Sequence, residues 1–312
     1  MVDVFAEVPA DFRRKFGLIH PAEHISSEKA AAIFEALQVK KSPSITITSG
    51  GGAANTAKIA ARLGLPAAFT GASGSDSNAV LFEEELKKAG VYLHLVRKKI
   101  PTGLFLNLSG CIAASPGASL EFNAEDINES LFAKEKTKPK VCMLEGFILD
   151  RAPLINRILE LAEKYSLALA VDPGTAQIAA EQAKLIQEDR SPFWNRKLQR
   201  ARYPVILFLN EAEAEAFAGI FNKNWESLFN YASRDSFVLA AVKLAERGAA
   251  VFSGGSVIRV STIPVKAAES TGAGDAFAAG FLAAWLRNET LEQCGRAGNS
   301  AAALVLQAPG TS

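Results

Sequence analysis

The chain has 312 residues, 49% of them hydrophobic and 21% charged, with 34 Lys and Arg against 33 Asp and Glu and a formal net charge of +1. Such a composition excludes a disordered chain and is enough for one large core or two modest ones. The near balance of charge excludes an extended nucleic-acid or anionic-membrane surface, and the run Arg97-Lys98-Lys99 reads as a solvated loop edge.

At the amino terminus, "MVDVFAEVPADFRRKF" lacks the basic start and apolar run of a secretory leader, and nowhere do about 18 uncharged apolar residues follow one another. Secretion and membrane spanning are therefore not expected. Next, "PSITITS" leads into "GGAANTAKIAARLG", and "PAAFTGASG" into "NAVLFEEELKKAG". Between residues 91 and 123, β-prone and helix-poor sequence breaks the rhythm and predicts antiparallel strands outside the main sheet, as a lid would be. The rhythm then resumes: "KVCMLEGFI" precedes "RAPLINRILELAEKYS", "LALAVDPG" precedes an Ala/Gln/Lys helix, and "YPVILFLN" precedes "EAEAEAFAGIF". "AAVKLAERGAAVF" reads as a strand, and "DAFAAGFLAAWLR" as a buried helix. Strands alternating with crossover helices predict a largely parallel sheet covered by helices. Cys111, Cys142 and Cys294 lie far apart in apolar surroundings, which argues against a disulfide framework or paired zinc ligands and for a reducing cytoplasm.

Three loops carry chemistry. In "ESTGAGDAFAAGFL", Gly272, Ala273 and Gly274 open a helix whose free N–H groups and partial positive charge suit a phosphate or a developing oxyanion. Asp275 is placed to take a proton from a hydroxyl attacking a phosphoryl group, or simply to cap the helix. "SGGGAANTAKIAARLG" repeats the theme with Gly50-Gly51-Gly52, and Asn55 in the first turn can donate to and accept from a hydroxylated ligand. Its plainer reading is a tight turn with a capping Asn. In "LFLNEAEAEAF", Asn210 and Glu213 share one face of a first helical turn. They fit either a hydrated magnesium ion near phosphates or an ordinary helix start with surface acids.

Taken in this order, the three loops resemble the PfkB, or ribokinase-like, carbohydrate kinase family along nearly the whole chain. "GGAANTAKIAARLG" looks like its first signature, "NEAE" like its Asn-x-x-Glu motif and "ESTGAGDAFAAGFL" like its second signature, D-T-x-G-A-G-D. The resemblance implies an α/β, ribokinase-like three-layer sandwich with a largely parallel central sheet and a small β-rich lid. It implies one kinase domain over residues 1–312, with lid segments at about 1–48 and 91–123. It also implies that Asp275 is the catalytic base and that Gly272, Ala273 and Gly274 form the anion hole. Asn210 and Glu213 would organise the magnesium of MgATP, Glu213 through water. Gly51, Gly52 and Asn55 would meet sugar hydroxyls, and Asn299 in "CGRAGNSAAALVL" would contact the nucleotide.

The first third of the chain is similar to the adenosine-kinase-like branch. Asp3 takes the place of the acid that follows the first strand and binds ribose hydroxyls, and "IPTGLFLNL" resembles the branch's lid strand, with Leu104 and Leu106 expected beside a base. "LEGFILD" puts Phe147 where an aromatic residue flanks that base; without the resemblance Phe147 reads as core. There are three departures. Only Met1 and Val2 precede Asp3, so an inner strand is expected to be missing, through a misassigned start or a truncation. Glu269 and Ser270 replace the usual Asp and Thr near an activating monovalent cation, which leaves potassium dependence open. Ala245 stands where Gly is common and is expected to crowd the nucleotide loop. The implied protein is a cytoplasmic monomer or homodimer using ATP and magnesium to phosphorylate a primary hydroxyl, adenosine first among acceptors, with lid closure excluding water. A kinase for ribose, fructose or a similar sugar and an inactive binding relative are the alternatives.

Overall fold

Alternating and unbroken apolar runs have gone to different parts of this chain. The computed structural model describes residues 1–39, 45–133, 140–190, 204–234, 238–265 and 271–307. It divides into two compact units, Met1–Arg62 with Pro66–Phe122, and Leu63–Leu65 with Asn123–Ser312.

In the first unit the elements are β1 (Val2–Ala6), α1 (Ala10–Lys15), β2 (Ala22–His24), α2 (Ser27–Val39), β3 (Thr46–Ser49), α3 (Gly52–Arg62), β4 (Ala68–Ser73), α4 (Ser77–Lys88), β5 (Tyr92–Arg97), β6 (Thr102–Leu108) and β7 (Cys111–Gly117). Five strands form a sheet in the order β2-β7-β6-β1-β3, and β4 pairs with β5 alone. β1 runs parallel to β6 and antiparallel to β3, so the start of the chain is an interior strand and Asp3 lies inside it, not after it. β6 and β7 are antiparallel, as expected for the lid-like stretch, whereas β5 at its start pairs in parallel with β4. β3, expected to be a crossover strand of the parallel sheet, has its place here at the sheet edge. Its sequence, Thr-Ile-Thr-Ser, is mostly polar and only its last residue is buried, as suits an edge strand. Val2, Val4, Leu106 and Leu108 meet Phe82 and Leu86 of α4 in this unit's core.

The second unit contains α5 (Ser130–Ala133), β8 (Val141–Glu145), α6 (Ala152–Tyr165), β9 (Ala168–Asp172), α7 (Ala176–Gln187), β10 (Val205–Asn210), α8 (Glu211–Gly219), α9 (Trp225–Ala232), β11 (Val238–Lys243), β12 (Ala249–Ser253), β13 (Ser256–Val260), α10 (Ala273–Leu286) and α11 (Leu291–Gln307). Its sheet runs β13-β12-β11-β10-β9-β8. β8 to β11 are parallel, and β12 and β13 return antiparallel. β9 and β10 are buried along almost their whole length, which is why they read as unbroken apolar runs. α10 is buried from Ala276 to Ala284, and a Cβ at Gly280 would collide with the Ala297 carbonyl of α11, so glycine lets the two helices approach closely. Phe208 of β10 meets Phe281 of α10 edge-on at 5.4 Å in this core.

"AAVKLAERGAAVF" is two strands and not one: a 3-10 turn, Ala245–Arg247, separates β11 from β12. Ala245 takes φ 52°, a left-handed conformation costing about 1–2 kcal/mol with a Cβ, a strain that a glycine here would not carry. The three cysteines are free, and desolvation pushes the Cys142 thiol up to about 12. Among the described residues no helix is long and apolar enough to cross a membrane.

Candidate active site

Four neighbouring strands of the larger sheet are apolar inside and polar at their carboxyl ends. β8 ends in Glu145, β9 in Asp172, β10 in Asn210 and β11 in Lys243. Glu145 is in register with Asp172, and Asn210 with Lys243, while the β9–β10 register sets the second pair two residues further along the strands than the first, so the four form a staggered polar edge. Open α/β sheets bind their ligands at this edge.

Asn210 caps α8. Its Oδ1 accepts the Glu213 N–H at 2.8 Å, and Glu213 Oε2 accepts the Asn210 N–H at 2.8 Å, a reciprocal capping box. The helix-start reading of "NEAE" therefore holds, but Glu213 is not a surface acid. Glu213 is only 2% exposed, and burial, then the charge of Asp172, push its carboxyl above the usual range, against Lys243 and the bonds to Asn210.

Lys243 is the residue that local sequence reading missed. Its Nζ donates to Asp172 Oδ2 at 2.8 Å, and a Cβ on Gly274 would lie 3.1 Å from the same nitrogen. Burial pulls the Lys243 pKa down, but the charges of Asp172 and Glu213, the Asp172 hydrogen bond and the charge of Asp275 outweigh it, so the ammonium is held charged. The partners are 71 positions apart, so no spacing announces them; the available signal was a polar residue ending each apolar strand.

Gly272 is the N-cap of α10 at φ 80° and has no side chain to cap with. Asp275 follows at the third helical position, half-buried, and is not the cap residue. Gly272, Ala273 and Gly274 stand at the helix amino terminus as expected, with the Lys243 ammonium against Gly274. Glu269 and Ser270 lie outside the described residues.

Three carboxylates, Asp172, Glu213 and Asp275, act electrostatically on one ammonium here. That excess of negative charge fits a divalent ion carried on phosphates. Among the described residues no three His, Cys, Asp or Glu are grouped to chelate a metal by themselves, so such an ion would draw its ligands from phosphate and water as well. Asn299 on α11 is 8% exposed and donates through Nδ2 to the carbonyls of Val260 and Ser261, each at 3.2 Å, fastening the end of β13. Phe147, in a 3-10 turn after β8, is 49% exposed and so is not core; its ring edge is 3.8 Å from where a Cβ on Gly174 would be.

The first unit brings together its own set. A Cβ at Gly50 would fall inside the Asp3 carboxylate, so only glycine permits this approach. Gly50 N–H donates to Met1 O, Gly51 turns at φ 95°, and α3 starts at Gly52. Asn55 is 3% exposed in the first turn of that helix. Leu104 and Leu106 do not serve as expected: strand alternation turns both into the core, at 4% and 0% exposure. Phe105, between them in sequence, is half-buried and in register with Asp3.

Solved structures share this architecture. An adenosine kinase from Sinorhizobium meliloti matches with a TM-score of 0.78 at 26% identity, covering 99% of this chain and 91% of its own. A probable sugar kinase from Rhizobium etli CFN 42 matches at 0.80 and 25% identity, covering 100% and 93%. The fold is thus that of the ribokinase-like α/β kinases. The chain belongs to the pfkB family of carbohydrate kinases, whose profile matches residues 26–312. The adenosine kinase of Saccharomyces cerevisiae is 29% identical, and the alignment spans 100% of this chain and 94% of the yeast protein. Family membership makes the chain a phosphotransferase to a sugar or nucleoside hydroxyl, using ATP with a divalent metal ion.

Proposed function

We propose that this chain transfers the γ-phosphoryl group of MgATP to a primary hydroxyl of a ribose-bearing molecule, adenosine before any other. The observation that carries the transfer chemistry is Asp275 in the first turn of a helix capped by a bare glycine, with a half-buried ammonium against Gly274. Asp275 accepts the proton of the attacking hydroxyl. The N–H groups at Gly272, Ala273 and Gly274, with Lys243, stabilise negative charge on the transferred group. Bound magnesium would offset the phosphate charge, with Asn210 and Glu213 organising its water, and Asn299 is assigned to the nucleotide side. Asp3, Gly51, Gly52 and Asn55 are assigned to ribose hydroxyls, supported by the close approach of Asp3 to Gly50. Phe147 is assigned to a base, supported by its exposure. Three free cysteines suit a reducing, cytoplasmic setting.

The test is a panel of adenosine, inosine, guanosine, ribose and fructose with MgATP and potassium, identifying the phosphorylated product. Adenosine is expected to lead in kcat/KM. A free sugar outrunning every nucleoside replaces the acceptor with a sugar, and binding without transfer to any acceptor makes the protein an inactive relative. On the metal side, Glu213→Gln is expected to raise the magnesium concentration needed for half-maximal rate. The amide keeps an acceptor for the Asn210 N–H but loses the charge. A superimposable magnesium titration removes Glu213 from the metal's surroundings.

A further inference from the structure

Lys58, on α3 one turn beyond Asn55, is 1% exposed and heads the large side chains fully enclosed by this fold. Its Nζ donates to both Ser49 O and Ser49 Oγ, each at 2.9 Å. Glu85 of α4 takes the other side of the same strand end: its Oε2 accepts the Ser49 N–H at 2.7 Å and the Thr48 hydroxyl at 2.9 Å. The backbone N–H, carbonyl and hydroxyl of Ser49 are thus all held by buried or half-buried charges. Ser49 immediately precedes Gly50, whose backbone lies against the Asp3 carboxylate, and the glycine turn that opens α3.

A buried ammonium is a poor choice for stability alone. Taking it out of water costs several kcal/mol, and an apolar residue of similar volume is often as good or better. A side chain such as Met would pack the same space without holding residue 49 by two bonds. What the ammonium adds is direction: it fixes where β3 ends and hence where the glycine turn begins. We propose that Lys58 is a positioning residue for acceptor binding, acting through Ser49 to hold the Gly50–Gly52 turn and Asn55 in register with Asp3. This rests on the acceptor-side assignment made above. Lys58 itself touches neither acceptor nor nucleotide in this scheme.

The consequence is a one-sided defect. Lys58→Met is expected to raise the acceptor KM, and the acceptor Kd measured by calorimetry, by about 10-fold or more, since displacements near 1 Å in a binding constellation carry penalties of that order. The KM for MgATP should move by less than about 2-fold. Ser49→Ala keeps the carbonyl bond and loses only the hydroxyl. It is expected to fold normally and to raise the acceptor KM by roughly 2- to 5-fold, in line with one modest hydrogen bond. Lys58→Arg, which retains the charge and donors, should recover part of the acceptor affinity lost in Lys58→Met. An unchanged acceptor KM in Ser49→Ala together with either an unchanged one or an unfolded chain in Lys58→Met overturns the proposal. So do equal losses for acceptor and MgATP. A wild-type protein that neither binds nor phosphorylates any acceptor in the panel sinks the underlying functional reading itself, and that is seen before any variant is made.

Discussion

Asp275→Asn is expected to lower phosphoryl transfer by about 10²-fold or more while MgATP binding persists, because the amide cannot accept the proton of the attacking hydroxyl. The structure removes the simplest competing role. Gly272 occupies the cap position of α10, and Asp275 comes at the third helical residue, half-buried, where its charge contributes at most about 2 kcal/mol to the helix end. Asn is nearly isosteric, so the melting temperature should change little, and a fall in rate can be read as chemistry. Rates from a coupled ADP-release assay, set beside calorimetric titration of MgATP, decide the matter. Turnover near wild type would reduce Asp275 to a favourable charge at a helix start.

The parallel strands were legible because burial on both faces removes alternation. "LALAV" and "VILFL" cannot be half-exposed strands, and they became β9 and β10. The glycine loops were legible for a related reason: close backbone approach at Gly50 and a left-handed cap at Gly272 are conditions that only glycine meets easily. Other features were not local enough to read. "TGLFLNL" carries apolar residues on both phases of the strand, so its sequence does not say whether Leu104 and Leu106 or Phe105 face the core; burial assigns the leucines to it. β3 precedes a helix just as β10 does, yet it pairs antiparallel with β1, a choice made by a strand more than forty residues away. The reciprocal bonds of Asn210 and Glu213 were implicit in their spacing, but the charge environment that lifts Glu213 comes from Asp172 on another strand.

That environment makes Lys243→Met the substitution with the widest consequences. Lys243 and Asp172 have side chains 15% and 14% exposed, and the ammonium is the cation facing Asp172, Glu213 and Asp275 together. Removing one partner of a buried pair leaves the other charge uncompensated, a loss typically of about 3–5 kcal/mol. The variant should therefore melt well below wild type. It should also lose turnover, since the positive charge against Gly274 is gone from where the transferred group would carry its negative charge. Stability and chemistry can be separated with Lys243→Met/Asp172→Asn. Deleting both charges removes the carboxylate that Lys243 bonds directly and leaves Glu213 and Asp275, so the double variant should regain part of the lost melting temperature, whereas turnover should stay as low as in the single variant. Thermal unfolding followed by circular dichroism and kcat measured well below the melting range give the two readouts. Recovery of rate in step with stability would make the Lys243–Asp172 pair a structural fastening between β9 and β11. Recovery of stability alone places the Lys243 charge in the transfer step.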